Sequence, residues 1–199
     1  MGYNPERYHR RSIRLKGYDY SCVGTYFVTI CTWQRECLFG EVVDTRVQLN
    51  DVGRKAQQCW EEIPVRFPSV TLDDFVVMPN HIHGILLITR DAAIGNVENE
   101  DKDGRRGAAC CAQIVASASA EGAASSAPTL GQIVRVYKSI SAISINRLQG
   151  RSERPAWQRN YYEHIIRDDD SLNRIRLYIA QNPSLWSDDT ENPANATIR

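Results

Sequence analysis

The sequence predicts an α+β domain of the ferredoxin-like type, in which a split β-α-β pattern builds an antiparallel four-stranded sheet with helices on one face. Two observations carry this prediction. Strand-like and helix-like segments alternate in the order β-α-β-β-α-β-α, with one hairpin in the middle. The chain has 199 residues, of which 42% are hydrophobic, so it can bury one core of ordinary size. We expect the second face of the sheet to be open for a ligand.

The predicted strands are the segments richest in β-branched and aromatic residues. They are residues 26–33, 75–78, 81–89 and 161–166. The first follows Gly24. The second and third are separated by Pro79-Asn80, a turn signal, and therefore form the hairpin.

The predicted helices are recognised by their ends. They begin at Asn50 or Asp51, at Thr129 and at residues 168–171, and they end before Pro64, at Gly150 and at Pro183. Asn, Asp and Thr oxygens accept hydrogen bonds from the free N–H groups of a first helical turn. Negative charge also suits a helix start. In the last helix Leu172, Ile175 and Ile179 form an apolar stripe.

Charged additions surround one predicted domain at residues 21–186. An insert at about 91–128, acidic and then rich in Ala, Gly and Ser, is expected to be mobile. Residues 187–199 are expected to be a disordered acidic tail. Residues 1–20 form a basic N-terminal arm, whose cations are Arg7, Arg10, Arg11, Arg14 and Lys16.

The overall charge is balanced, with 24 Lys and Arg against 24 Asp and Glu. This balance is an average, because residues 91–103 carry −4 whereas residues 129–178 carry +4. The six cysteines show no zinc-type spacing. No leader-like segment and no apolar stretch long enough for a membrane span is found. We therefore expect a cytoplasmic protein with no membrane partner.

Two histidines lie at the start of the third predicted strand. Side chains alternate along a strand, so His81 and His83 point to one face while Ile82 points into the core. Two neutral imidazoles side by side on an open sheet face can clamp a divalent metal ion. The alternative is that both are exposed polar positions of a half-buried strand.

Two further groups combine aromatic and polar residues. Arg174, Tyr178 and Asn182 follow one another at intervals of four and fall on roughly one stripe of the last helix. Residues 157–164 (WQRNYYEH) could stack on unpaired bases and donate hydrogen bonds to them. The simpler alternatives are an aromatic residue at the edge of the core and core aromatics beside a Glu–His pair.

Five segments in this order resemble the single-tyrosine HUH transposases, and among them the REP-associated tyrosine transposases most of all. They are residues 24–32 (GTYFVTICT), 77–83 (VMPNHIH), 137–139 (YKS), 157–164 (WQRNYYEH) and 178–183 (YIAQNP). The resemblance spans about residues 10–186 apart from the insert. Each segment is modest evidence, but five in the right order are specific.

The resemblance implies a role for four residues. His81 and His83 match the metal-binding pair of the HUH motif. Tyr178 matches the nucleophilic tyrosine of the C-terminal helix, and Asn182 matches the polar residue four positions later that completes the metal site. This ligand set suits Mg²⁺ or Mn²⁺.

The implied activity is cleavage and rejoining of single-stranded DNA beside a hairpin, through a 5′-phosphotyrosine intermediate. Phosphate contacts are expected from the basic arm and from Lys138, Arg159 and Arg174. Arg174, one turn before the tyrosine, is also a candidate to help the tyrosine ionise. A non-catalytic binder of hairpin or single-stranded nucleic acid and a metal-dependent phosphodiesterase are the alternatives. Monomer or homodimer is left open, as is whether the tyrosine helix acts in cis or in trans.

Overall fold

A computed structural model describes residues 23–89, 128–151 and 154–198. The predicted arm with Arg7, Arg10, Arg11, Arg14 and Lys16 lies outside the described residues, as do residues 91–127 of the predicted insert. Within the described ranges, no helix is both long enough and apolar enough to cross a membrane.

The described residues form six strands and four α-helices, together with three short 3₁₀ helices, two of which follow the last α-helix. In chain order these are β1 Gly24–Cys31, β2 Gly40–Val43, β3 Arg46–Leu49, α1 Asp51–Glu61, α2 Ile63–Arg66, β4 Val70–Val77, β5 His81–Ile88, α3 Leu130–Leu148, β6 Tyr162–Ile166 and α4 Asp169–Gln181. The 3₁₀ helices are Trp33–Arg35, Asn182–Asp188 and Pro193–Ile198.

The main sheet has four strands in the order β4-β5-β1-β6, and all neighbouring strands are antiparallel. The helical connection from β1 to β4 therefore crosses over β5, which is the split β-α-β arrangement. The predicted fold class is confirmed. The register of β1 on β5 pairs Cys31 with His81 and Thr29 with His83, so the histidines lie at one end of the sheet.

The first face of the sheet carries the larger part of the core, under α1 and α3. Tyr26, Val28 and Ile30 alternate along β1 and are buried in one cluster with residues of both helices. Gly84 of β5 makes room for Trp60 of α1, because a Cβ atom at this glycine would lie 2.4 Å from Cζ2 of the indole. The Trp60 indole of α1 thus packs directly on the backbone of β5 at this point.

The second face is covered by α4, which corrects the expectation of an open face. Phe27 of β1 and Ile85 of β5 are buried in a smaller cluster with Ile179 of α4. Leu172 and Ile175 pack against the same cluster. The apolar stripe recognised in the sequence needs a surface to bury it, and the second sheet face provides that surface.

The predicted helix starts are confirmed by their caps. Asn50 accepts a hydrogen bond from the Gly53 N–H at 2.9 Å, and Asp168 accepts one from the Ser171 N–H at 2.6 Å. Thr129 begins α3 with a capping box. After the end of α3, Gly150 has a φ of 61°, in the left-handed region that a glycine tolerates.

The structure contains elements that the sequence did not indicate. The hairpin of β2 and β3 turns at Asp44 and Thr45, whose φ values are 49° and 62°. Two-residue hairpin turns of this kind usually contain Asn-Gly or Asp-Gly, whereas this turn contains Asp-Thr. Pro64 lies in the first turn of α2, where a proline is tolerated, so the chain turns into a second short helix after α1.

Candidate active site

His81 and His83 lie at the beginning of β5, on the face covered by α4. The structure places them on the same side, as the strand alternation predicts, with 4.4 Å between the ring centroids. Their exposed fractions are only 0% and 3%. Both imidazoles therefore sit in a buried cluster below α4 and the segment that follows it, and not on an open surface.

Asn80 determines the proton position on His81. The Asn80 Nδ2 donates to the backbone carbonyl oxygens of Arg35 at 3.1 Å and Glu191 at 2.6 Å, which fixes the orientation of the amide. The Asn80 Oδ1 then lies 2.8 Å from Nδ1 of His81. Because a carbonyl oxygen only accepts, this nitrogen carries the hydrogen. The lone pair of His81 is consequently on Nε2.

His83 contacts Thr29 through one ring nitrogen and Tyr178 through the other. Its Nδ1 lies 2.8 Å from Oγ1 of Thr29 on the paired strand. Its Nε2 lies 3.2 Å from the hydroxyl of Tyr178. Phe27 stacks on the imidazole with 5.4 Å between the centroids. Of the two tautomers, only the one with the hydrogen on Nδ1 leaves Nε2 able to ligate a cation or to accept the tyrosine proton.

Three buried polar atoms in this cluster have no hydrogen-bond partner among the described residues. They are Nε2 of His81, Oδ1 of Asn182 and Oδ2 of Asp189. The first and third lie 3.8 Å apart and both carry lone pairs, so no hydrogen joins them while the imidazole is neutral. Unpaired buried polar atoms are costly, and a cation between them would remove the cost.

The donor set fits a divalent metal ion. His81, His83 and Asp189 each offer one ligand atom, and these atoms lie within 4.8 Å of one another. Asn182 is 3% exposed and adds an amide oxygen. The prediction that Asn182 completes the site rests on the resemblance. The structure adds Asp189, a carboxylate that the sequence did not indicate.

Asp189 belongs to residues 187–199, the segment for which the sequence predicts a disordered tail. In the structure, residues 188–195 fold back over the histidines. Glu191 forms an ion pair with Arg35, with 2.9 Å between Nε and Oε2, and the Asn195 Nδ2 donates to the carbonyl oxygens of Ser187 and Asp189. Polar composition suggested disorder, but the polar side chains find partners in this segment and around the site.

Burial keeps both imidazoles neutral. Loss of solvation lowers the pKa of His81 to about 4, against the opposing effects of the Asp189 charge and the nearby Asn182 amide. Loss of solvation and the neighbouring His81 hold the pKa of His83 well below its usual range. Neutral imidazoles are the form that binds metal ions.

Tyr178 lies on α4 at the border between this cluster and solvent, and is 43% exposed. A cleft of about 520 Å³ opens beside it, lined also by Phe27, Arg35 and Tyr162. Burial and the Asp189 charge raise the pKa of the Tyr178 phenol, while a hydrogen bond with Asn182 lowers it. The protonated phenol is thus the resting form, and ionisation requires help at this site.

An ion pair fixes α4 to the edge of the sheet. Arg176 donates from Nε to Oδ1 of Asp73 at 3.0 Å and from Nη2 to Oδ2 at 2.5 Å. Asp73 belongs to the part of β4 where the register with β5 shifts between Leu72 and Phe75. The hydrogen bond from Arg176 lowers the pKa of Asp73 below its usual value. This pair fixes the helix two residues before Tyr178.

The structure does not bring the other predicted residues into the cluster. Lys138 donates its three ammonium hydrogens to the carbonyl oxygens of Gln158, Arg159 and Asn160, at 2.6, 3.2 and 3.1 Å. They are not free for a phosphate, which corrects that expectation. Arg174 is exposed and is not among the groups that shift the pKa of Tyr178. Arg159 is exposed outside the cluster.

Sequence reasoning missed Asn80, Thr29 and Asp189. Asn80 was assigned only to a turn, although its position directly before the histidines was a signal for a residue that orients them. Thr29 lay in a predicted strand whose partner was unknown. No signal in the sequence indicated that Asp189 returns to β5.

The fold and the site together define a four-stranded α+β domain in which two buried histidines, a buried asparagine and a partly buried aspartate lie beside a half-exposed tyrosine. No protein-family model matches the chain. An uncharacterised protein of Haemophilus influenzae (strain ATCC 51907 / DSM 11121 / KW20 / Rd) is 42% identical over 187 residues, which cover 94% of this chain and 95% of that protein. The chain therefore belongs to the same family as this Haemophilus influenzae protein.

Two solved structures are more distant. One is a REP-associated tyrosine transposase bound to a REP hairpin, with a TM-score of 0.48 and 16% identity, covering 86% of this chain and 73% of that chain. The other, from Deinococcus radiodurans R1, is described as a candidate transposase, with a TM-score of 0.43 and 14% identity, covering 85% and 98%. With TM-scores below 0.5 and identities of 16% and 14%, these similarities do not assign a function.

Proposed function

We propose that the protein is a transposase-like endonuclease and strand transferase for single-stranded DNA, acting beside REP-like palindromic hairpins through a 5′-phosphotyrosine intermediate. The observation that carries the proposal is the 3.2 Å between the Tyr178 hydroxyl and Nε2 of His83, at the border of a buried cluster with unpaired ligand atoms. A phenol held against a cation site has the components of phosphoryl transfer.

The sequence resemblance supports the same conclusion independently. The resemblance implies site roles for His81, His83, Tyr178 and Asn182, which belong to short motifs that are far apart in the chain. The folded chain brings the histidines and the tyrosine together across 95 positions. Residues that converge on one buried site after such a separation are better explained by shared chemistry than by core packing alone.

The residues that would hold a divalent cation are His81, His83, Asp189 and Asn182. Mixed nitrogen and oxygen donors of this kind suit Mn²⁺ and leave Mg²⁺ as the second candidate. When bound, such an ion polarises a phosphodiester and neutralises the charge that develops on it. The Arg35 guanidinium pairs with Glu191 and offsets one of the two carboxylates near the cleft.

The chain's own residues supply the nucleophile and its position. The Tyr178 oxygen forms a bond to phosphorus while the bond from phosphorus to the 3′-oxygen breaks. The phenol loses its proton and the leaving 3′-oxygen gains one, so a 5′-phosphotyrosine and a 3′-hydroxyl result. The reverse reaction with another 3′-hydroxyl rejoins strands. No energy source is consumed, because each step exchanges one phosphodiester for another.

The proposed activity also implies a form of substrate and a site within one chain. A hairpin with a single-stranded flank is the DNA form implied by the sequence resemblance. The tyrosine reaches the histidines of its own chain, which supports a site that works in cis. Cytoplasmic location stays a prediction.

The test is a covalent adduct assay. Palindromic sequences from the DNA that flanks the gene are made as labelled hairpin oligonucleotides with single-stranded arms and incubated with the protein and Mn²⁺ or Mg²⁺. We expect a labelled band at the mass of the protein on a denaturing gel. Tyr178→Phe should abolish it, since phenylalanine has no nucleophilic oxygen.

Tyr162→Phe is the matched control. Tyr162 lines the same cleft and is similarly exposed, at 48%, but lies on β6. It should leave the adduct unchanged. Cleavage without an adduct that survives Tyr178→Phe would indicate a metal-dependent phosphodiesterase. Hairpin binding that survives His81→Ala, without cleavage by the unaltered protein, would indicate a non-catalytic binder. Either result overturns the proposal.

A further inference from the structure

We propose that a groove between α3 and residues 155–161 binds the single-stranded flank of the DNA on its way to Tyr178. This inference rests on the proposed function and assigns it a substrate-binding surface. The groove has a volume of about 490 Å³. One wall is a face of α3 that includes Val134, Arg135 and Ala142, and the other includes Pro155, Trp157 and Arg159.

The charge of the groove is of one sign. Its lining contains Arg135, Lys138 and Arg159 and no acidic residue. Arg135 and Arg159 are exposed, and among the described residues neither guanidinium has a carboxylate partner. Two cations that lack a carboxylate partner in the described part of the chain, beside apolar side chains, suit a ligand with negative groups at its edge and flat apolar groups inside. A single nucleic-acid strand, with phosphates outside and bases inside, has this chemistry.

Lys138 builds the groove instead of binding the ligand. Its three hydrogen bonds join α3 to the backbone of residues 158–160. The two walls are therefore held at a fixed separation. Trp157 strengthens the same junction, because its buried indole N–H donates to Oγ of Ser141 on α3 at 2.9 Å. A groove whose walls are joined by such contacts binds with little reorganisation.

The groove adjoins the cleft beside Tyr178, since the two share lining residues. Gln158 and Tyr161 line both. A strand whose phosphate lies at Tyr178 can therefore pass along these two residues into the groove. The Tyr161 ring is half-buried and has the Lys138 Nζ 5.9 Å from its centroid. An aromatic ring at this junction offers a base a stacking surface without sequence preference.

The experiment measures binding apart from chemistry. The protein carries Tyr178→Phe throughout, and the probe is a fluorescent oligothymidylate of about 20 nucleotides, longer than a typical single-strand site. Arg135→Ala and Arg159→Ala should each weaken binding several-fold at low salt. Each should also reduce the slope of log affinity against log salt concentration by about 0.7, as expected for one lost phosphate contact on a single strand.

Arg147→Ala is the matched control, because Arg147 is an exposed arginine of the same helix that does not line the groove. It should leave affinity and slope unchanged. The inference would be overturned if the Arg135→Ala and Arg159→Ala variants had the same affinity and the same salt slope as the protein with Tyr178→Phe alone. Tighter binding of oligouridylate RNA than of the DNA probe would also overturn it. The inference fails while the proposed function stands if the adduct forms but these variants bind normally. The proposed function fails while the groove still binds a single strand if binding falls as expected and no adduct forms on any hairpin.

Discussion

The hydroxyl of Tyr178 lies 3.2 Å from Nε2 of His83 in the same chain. The helix that carries the tyrosine packs on the sheet that carries the histidine, through Ile179 against Phe27 and Ile85. One chain thus contains every residue of the candidate site. In a shared site, the same apolar stripe would pack on the equivalent sheet face of a second subunit.

The first prediction concerns complementation. Tyr178→Phe and His83→Gln proteins, each inactive alone, should stay inactive when mixed, because each chain would need its own tyrosine and histidine. The measurement is the covalent adduct on a hairpin oligonucleotide. The unaltered protein diluted to the same total concentration serves as the control. Recovery of about a quarter or more of its adduct, as expected from random pairing of two half-sites, would show exchange of the helix between subunits.

The second prediction concerns the pair that anchors α4. Arg176→Gln removes both hydrogen bonds to Asp73, so α4 should lose its attachment to β4. We expect a loss of about 1 kcal/mol in the free energy of unfolding, since the pair is partly exposed. We expect a larger effect on the adduct rate, up to about 100-fold, because a displaced nucleophile is costly.

Arg174→Gln is the control for this pair, since Arg174 lies on the same helix, is exposed and has no ion-pair partner among the described residues. It should change the unfolding free energy little. An Arg176→Gln protein with unaltered adduct rate would show that Asp73 and Arg176 do not position Tyr178.

The third prediction identifies the oxygen ligands. Asp189→Ala and Asn182→Ala should each weaken Mn²⁺ binding by about tenfold or more, because each removes an oxygen from the buried cluster. Titration calorimetry without DNA measures this directly. Asp188→Ala, an exposed neighbouring carboxylate, should bind Mn²⁺ as the unaltered protein does. Normal affinity after Asp189→Ala would remove the C-terminal segment from the metal site.

The fourth prediction is a pH dependence of stability in the metal-free protein. Burial lowers the pKa of His81 from 6.5 to about 4. Between these values the unfolded chain binds more protons than the folded chain, so stability falls as the pH falls. In EDTA, the melting temperature should decrease from pH 6.5 towards pH 4. His81→Gln should reduce this decrease, whereas a variant of the exposed His164 should not. An unchanged profile in His81→Gln would contradict burial of a neutral imidazole.

The fifth prediction concerns the contact between Gly84 and Trp60. Gly84→Ala should destabilise the protein by about 1–3 kcal/mol, because the added Cβ would lie 2.4 Å from the indole and force a shift of α1. Urea unfolding measures the loss. Gly150→Asn is the control, since nothing lies within 4 Å of a Cβ there and asparagine tolerates a positive φ. A neutral Gly84→Ala would mean that Trp60 moves freely.

Much of the fold could be predicted because its signals are local. Thr129 and Asp168 cap helices through contacts only three residues away, and the alternation around His81 and His83 depends on strand geometry alone. The hairpin of β2 and β3 escaped because its turn residues, Asp44 and Thr45, lack the usual glycine. Its pairing is a property of the folded chain.

The site could be predicted only where one short segment contains its residues. The histidine pair and the Tyr178–Asn182 spacing are local. The carboxylate of Asp189 is not, because its proximity to His81 requires the chain to turn back after α4. Lys138 shows the opposite error, since a basic residue suggested a phosphate contact and its hydrogens are used by backbone carbonyls. The sequence shows which residues are charged, but only the folded chain shows which charged groups already have hydrogen-bond partners.

The return of Asp189 to His81 also orders events during synthesis. The ribosome makes the two histidines long before the tyrosine, and the tyrosine before Asp189. Without the segment that follows α4, the chain would hold His83 and Tyr178 together but would lack the last carboxylate. The candidate cation site therefore reaches its full set of donors only after Asp189 has been made and its segment has folded back over the histidines.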